Sequence, residues 1–238
     1  MIWFFIWLAF TLFIVWLFAR SMRTVLKQQR VWGAFARKHN LLYQRPRWYS
    51  APMVEGEIKG RRVRLYVEEV VDPTRRLREF RTTTEIYFDG GFPTGIAIGS
   101  RTYQPMLQEI ENVQVVRLPV ETAFIGVLAL ARDPAVFEAY ITPRMDALTA
   151  LFDIKKAERL LMGHENDGFL VVQGADTLED PKDLNARMKT LFALADALDP
   201  LKGPSPLPAP DAGEAAEEPA TDMNTETTTN DTKEDETV

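Results

Sequence analysis

The apolar positions of this chain are concentrated at its start. Ile2 to Ala19 runs for eighteen residues without a charged side chain, and Thr11 is the one residue in it with a hydroxyl. That hydroxyl can donate to a carbonyl one turn earlier, so a helix leaves no polar group stranded in lipid. At 1.5 Å per residue the run makes about 27 Å of helix, close to the roughly 30 Å hydrocarbon thickness of a bilayer. Trp3 and Trp16 fall near its ends, where indoles favour the headgroup level. The pattern predicts a transmembrane anchor over residues 1–20. A cleaved signal peptide would need a basic leader, a shorter apolar core and a small-residue cleavage site. Here no basic side chain precedes the run, and Ala19-Arg20-Ser21 is a poor cleavage site. Arg20, Arg23, Lys27 and Arg30 follow on one flank only, and the positive-inside rule puts the C-terminal body in the cytoplasm.

After the anchor the period stays helical. Met22, Val25, Leu26, Trp32, Phe35 and Ala36 share a face across a juxtamembrane helix, residues 21–40, with Asn40 as its left-handed C-cap. That face suits either its own domain or a second copy in a short coiled coil. Period-two patterning then predicts a β-hairpin, Met53 to Ile58 and Val63 to Val71 about a Lys59-Gly60 turn, broken by Asp72-Pro73. Thr82 to Phe88, Gly95 to Ile98 and Val113 to Leu118 read as further strands, with a helical turn between Gln104 and Asn112.

In the second half, Phe124 to Ala131 reads as a buried strand. Asp133-Pro134 reads as an N-cap with proline at the first helical position, and Thr142-Pro143 as the same device repeated. The helix it opens carries Met145, Leu148, Leu151 and Phe152 as an apolar stripe. Leu160 to Met162 and Phe169 to Gln173 flank an Asn166-Asp167-Gly168 turn. Asp180-Pro181 opens a last helix with Leu184, Met188, Leu191, Phe192, Ala195 and Leu198 on one face. Strands that follow one another through hairpins, with helices gathered elsewhere, imply an α+β fold with a mainly antiparallel sheet over residues 41–199.

The stretch from Phe124 to Gln173 resembles the core of an uncharacterised bacterial family of membrane-associated proteins. The shared features are a strand, Asp133, a short helix, the Thr142-Pro143 step, a leucine-rich helix and the hairpin around Asn166. The resemblance implies bacterial origin and membrane attachment. That family has no assigned activity, so it implies no site residues.

Charge divides the chain again. The whole carries a net charge of -6, yet Pro200 to Val238 holds ten acidic residues against Lys202 and Lys233. An acidic tail of -8 is therefore attached to a body of +2. Prolines at 204, 206, 208 and 210 and the polar composition beyond them predict that residues 200–238 are a disordered tail, unable to offset the entropy of ordering.

Candidate chemistry is sparse. No cysteine is present, which removes disulfides and thiolate sites. His164-Glu165 lacks the rest of a zincin helix, and the segment reads as a solvated turn. His39 sits at a helix C-terminus, where capping accounts for it. Gly90-Gly91-Phe92-Pro93-Thr94-Gly95 lacks the lysine of a phosphate loop, and none of the four serines stands in a nucleophile elbow. No cofactor is expected. The arginines are the pointed feature: Arg61, Arg62 and Arg64 on the hairpin, then Arg75, Arg76, Arg78 and Arg81 after it. They suit an anionic lipid surface or acidic partner, local pairing with Glu55, Glu57, Glu68, Glu69, Glu79 and Glu85, or nucleic acid. A body of only +2 argues against the last. Two functions stand open. One is a membrane-tethered, non-catalytic scaffold, adaptor or accessory subunit that binds an unknown protein partner, a second copy or the inner leaflet of the bacterial cytoplasmic membrane. The other is an enzyme or small-ligand binder whose site forms only in three dimensions, in a deep pocket with buried ionisable groups.

Overall fold

The computed structural model describes residues 2–44, 51–71, 78–119 and 121–202. Helix α1 (Ile2–Lys38) runs without a break through both the apolar run and the juxtamembrane segment. Among the described residues it is the helix long and apolar enough to cross a membrane, and none of its most apolar window is buried. Its C-terminal half has a different fate. Gln28, Trp32, Phe35 and Ala36 are buried against the domain, so the amphipathic face packs on its own chain. Asn40 takes a left-handed φ of 55° and the chain reverses, with the Leu41 amide donating to the Ala36 carbonyl at 2.8 Å.

Nine strands then form one sheet: β1 (Leu42–Gln44), β2 (Met53–Ile58), β3 (Arg61–Val71), β4 (Arg78–Phe88), β5 (Ile96–Ser100), β6 (Gln114–Val115), β7 (Val127–Ala131), β8 (Ala157–Gly163) and β9 (Gly168–Gly174). Their spatial order is β1-β2-β3-β4-β9-β8-β5-β7-β6, and every neighbouring pair is antiparallel. The β2–β3 turn places Lys59 and Gly60 at φ 53° and 81°, the primed turn whose twist suits a two-residue hairpin. Short helices α2 (Gln104–Gln108), α3 (Pro134–Ile141) and α4 (Met145–Phe152) precede the long α5 (Pro181–Leu198). The last half of α1 joins α3, α4 and α5 over one face of the sheet. Trp32, Leu148, Leu151, Leu184 and Leu191 meet Val63, Leu65, Ile86, Leu161 and Leu170 there. On the opposite face α2 and its flanks cover only the β5–β7–β8 side, around Leu107, Leu130 and Leu160. Among the described residues no helix covers the face over β2, β3 and β4, the open face of the sheet.

Local expectations change at several points, among them the Val113–Leu118 strand, which shrinks to Gln114–Val115. The Phe124–Ala131 strand begins only at Val127. Thr122–Phe124 is a 3-10 turn, and Gly126 at φ 76° breaks the extension. Thr142 is not an N-cap. Its hydroxyl donates back to Glu138 O at 2.6 Å, and residues Thr142–Arg144 make a 3-10 turn that fuses α3 to α4. The Thr82 strand starts four residues earlier, at Arg78. Asp133 and Asp180 do cap their helices, accepting from Ala135 and Lys182 amides at 2.9 and 2.8 Å. The acidic tail beyond Lys202 lies outside the described residues.

Strand direction gives the sheet two distinct edges. The Tyr43 hydroxyl donates to Gln29 O at 3.1 Å, so β1 runs back along α1 toward the apolar run. By antiparallel alternation β3, β9 and β5 end at that same span-side edge, whereas β2, β4, β8 and β7 run away from it. Contacts from α1 agree. Gln28 Nε2 donates to Thr177 O at 2.8 Å and Trp32 Nε1 to Leu178 O at 3.2 Å, both in the loop after β9.

Candidate interaction surface

Strand alternation sorts the arginines. Arg61 points into the helix-covered face and is 2% exposed. Arg62, Arg64 and Arg81 lie on the open face. Arg78 stands on the part of the β3–β4 hairpin that outruns the sheet, and is 75% exposed beside Glu69 at 3.0 Å. Arg75 and Arg76 lie outside the described residues. The arrangement therefore brings together three of the seven and separates Arg61 and Arg78 from them.

On the open face, registered pairs build an ionic lattice. Glu55, Arg64 and Glu85 face each other across β2, β3 and β4, with Arg64 at 3.7 and 3.5 Å from the two carboxylates. Arg62 donates to Glu55 at 2.5 Å and lies over the Tyr87 ring. The Tyr66 and Tyr87 hydroxyls donate to Glu85 at 2.7 and 2.9 Å. Gln173 bridges Glu68 and Thr83 at 3.0 and 3.1 Å. Arg81 reaches Glu79 at 3.0 Å and Glu158 at 4.0 Å. Hydrogen bonding from Arg62 holds the Glu55 carboxyl below its ordinary value. Burial, then the bond to Glu85, pushes the Tyr66 phenol up. Burial also pushes Tyr103, at the margin of this face, up to about 12. At neutral pH the phenols stay protonated, which keeps the Tyr66 and Tyr87 hydroxyls as donors to Glu85. Arg62, Arg64 and Arg81 share the face with Glu55, Glu57, Glu68, Glu79, Glu85 and Glu158, so its balance is acidic.

A second charged group lies at the far edge, beneath the helices. Arg61 binds Asp199 and, at 3.0 Å, Asp196, and stacks on Phe88. Lys202 reaches Asp196 at 2.7 Å. Arg144 donates to the carbonyls of Tyr140, Asp199 and Lys202 at 3.1, 3.3 and 2.8 Å, and the Tyr140 hydroxyl donates to Leu198 O. The end of α5 would otherwise leave its last carbonyls unpaired. The Tyr140 hydroxyl and Arg144 supply partners to the carbonyls of Leu198 and Asp199, and the cluster holds residues 199–202 against the domain. Burial pushes Asp196 up, but hydrogen bonds from Lys202 and Arg61 outweigh it and hold the carboxyl below its ordinary value. Arg144 and Asp199 carried no signal in the sequence, because the contacts that join them to each other and to Arg61 span 55 and 138 positions.

The remaining sequence candidates resolve simply. The His164 amide and carbonyl close the β8–β9 turn and meet Phe92, and Glu165 pairs with Arg132 at 2.8 Å. Gly91 is needed for packing: a Cβ there would sit 1.6 Å from the Glu165 carbonyl oxygen. His39 packs on Phe35. Among the described residues no three His, Asp or Glu side chains gather as a metal site. A groove of about 480 Å³ lies between α1 and β1, lined by Leu26, Arg30, Gly33, Arg37 and Tyr43, and none of the far-edge ionic cluster opens into it.

No family model matches the chain, and no curated protein does either, in keeping with the resemblance to a family without an assigned activity. Among solved structures the chain is similar to the mycobacterial trehalose monomycolate transport factor A, TtfA, at 12% identity and a TM-score of 0.46. The match covers 75% of this chain and 98% of that one.

Proposed function

We propose that this protein is a single-pass, membrane-tethered and non-catalytic scaffold or accessory subunit that presents its α+β domain to a protein partner on the cytoplasmic face of a bacterial inner membrane. The observation that carries the reading is the continuity of α1. One uninterrupted helix is an exposed apolar rod at one end and a core element of the domain at the other. A flexible linker would let a tethered domain tumble, whereas a shared helix sets its orientation. The basic collar at Arg20, Arg23, Lys27 and Arg30 supports the cytoplasmic placement. The face left for a partner is the open side of β2–β4, whose acidic balance suits a partner rich in lysine and arginine.

Two experiments test this. Protease added to intact spheroplasts should leave the domain whole and should digest it after lysis; cleavage in intact cells refutes the orientation. Extraction in mild detergent should recover a stoichiometric partner, and reversing the exposed Glu57 and Glu68 to lysine should reduce that recovery several-fold. Recovery of the bare monomer alone would refute the scaffold reading.

A further inference from the structure

The β3–β4 hairpin is longer than the sheet that supports it. β9 stops pairing with β4 at Thr82↔Gly174, and β2 stops pairing with β3 at Val54↔Leu65. Beyond those points, among the described residues, Glu68–Val71 and Arg78–Arg81 pair only with each other, as a two-stranded arm. Because β3 runs toward the span-side edge, the arm projects in the direction of the apolar end of α1. On it Phe80, an aromatic ring with no core to join, is 68% exposed, and Arg78 is 75% exposed.

The reach of the arm matches the gap it would have to cross. From Arg20, the first charge after the apolar run, to Gln28, which bonds the loop after β9, α1 rises about 12 Å. From Thr82 to Arg78 the arm extends about 13 Å toward the same level, with Phe80 about halfway along. We infer that the arm rests on the headgroup layer of the bilayer, with the Arg78 guanidinium among lipid phosphates and Phe80, about 7 Å farther from the hydrocarbon, at the outer border of that layer. Aromatic rings partition to that depth, and arginine binds phosphate there. Ile125, 78% exposed in the turn that leads into β7, lies on the same edge. The far edge, where Asp199 and Lys202 lead into the acidic tail, points away from the anionic surface. With α1 as one support and the arm as a second, the domain has a single pose on the membrane. A second copy of the chain is the competing occupant for the arm.

The inference rests on α1 being inserted, and the test separates the two. The chain has no cysteine, so single cysteines can be introduced into the full-length protein and labelled with bimane. Labels at Glu69→Cys, opposite Phe80, at Thr11→Cys in the span and at Leu201→Cys on the far edge are compared in phosphatidylcholine–phosphatidylglycerol vesicles with lipids spin-labelled at the headgroup or shallow acyl positions. The label at 69 is expected to be quenched at least twofold more than that at 201, with the label at 11 quenched by deep acyl probes. Adding Phe80→Ser, which changes an exposed residue and leaves the fold intact, should abolish most of the quenching at 69. Quenching at 11 without quenching at 69 overturns the arm contact and leaves the anchor standing. Absence of quenching at 11 overturns the anchor itself. Protection at 69 that grows with protein density but is insensitive to lipid quenchers would assign the arm to a second copy instead and overturn the bilayer contact.

Discussion

Arg61 and Arg62 are adjacent in sequence and end on opposite sides of β3. Arg61 is enclosed with Asp199, also 2% exposed, and truncating it would leave a buried carboxylate without its cation. Arg61→Ala is expected to cost about 3–5 kcal/mol, read as a lowered midpoint in denaturant unfolding of the detergent-solubilised protein. Arg62→Ala, at an exposed lattice position, should change stability by less than about 1 kcal/mol. The direction at Asp196 also gives a pH dependence. A carboxyl whose folded value is depressed contributes stability above its unfolded value and loses it as pH falls through the folded one. Unfolding at fixed denaturant should therefore accelerate as pH drops below the ordinary aspartate value of 3.8, and that acid-sensitive component should shrink in Arg61→Met. Tyr103 is expected to resist ionisation until about pH 12, which absorbance titration against a Tyr103→Phe variant resolves.

At the scale of elements, α1 does two jobs with one period. Its first half is apolar all round, as lipid demands, and its second half narrows to a stripe. Trp32 is fully buried and its indole nitrogen is bonded, so Trp32→Ala should lower stability by about 3–5 kcal/mol, measured as a fall in melting temperature with the apolar run intact. Continuity itself is testable. One alanine inserted after Arg23 rotates the domain by about 100° about the span. It leaves the fold unchanged, since Gln28 and Trp32 keep their spacing. Rotation about the bilayer normal changes the arm's height by only about 1.5 Å, so the label at position 69 should keep its lipid quenching, while unfolding midpoints stay within about 0.5 kcal/mol.

At the scale of the whole molecule the arrangement is polar. The span, the arm and the loop that receives Gln28 lie toward one edge, and the clamp on the end of α5 lies toward the other. Removing residues 2–19 should yield a protein that no longer sediments with membranes, and the full-length chain should resist alkaline carbonate extraction. Retention of the truncated form on vesicles at low salt, lost at high salt, would measure what the basic collar and the arm contribute without the apolar run.

Much of the fold could be read from the chain because its signals are local. The apolar run, the alternation from Val63 to Val67, the Lys59-Gly60 turn and the Asp-Pro caps each act within a few residues, and each reappears in the structure. Where local signals compete, the reading failed: Thr142 preferred the carbonyl of Glu138 to the cap position, and Gly126 cut short an apolar stretch that looks extended. The surface was legible only in part. Sequence grouped seven arginines by proximity, but a strand sends neighbours to opposite faces, and it cannot state which face the helices will cover. The sequence by itself determined the long apolar helix at the start of the chain, the antiparallel α+β class and the charge asymmetry, since hydrophobic period and chain connectivity set them. Tertiary structure alone decided that Arg61 is core, that the open face is acidic in balance, and that the arm projects toward the apolar end of α1. Those outcomes depend on strand order and burial across more than a hundred residues of chain.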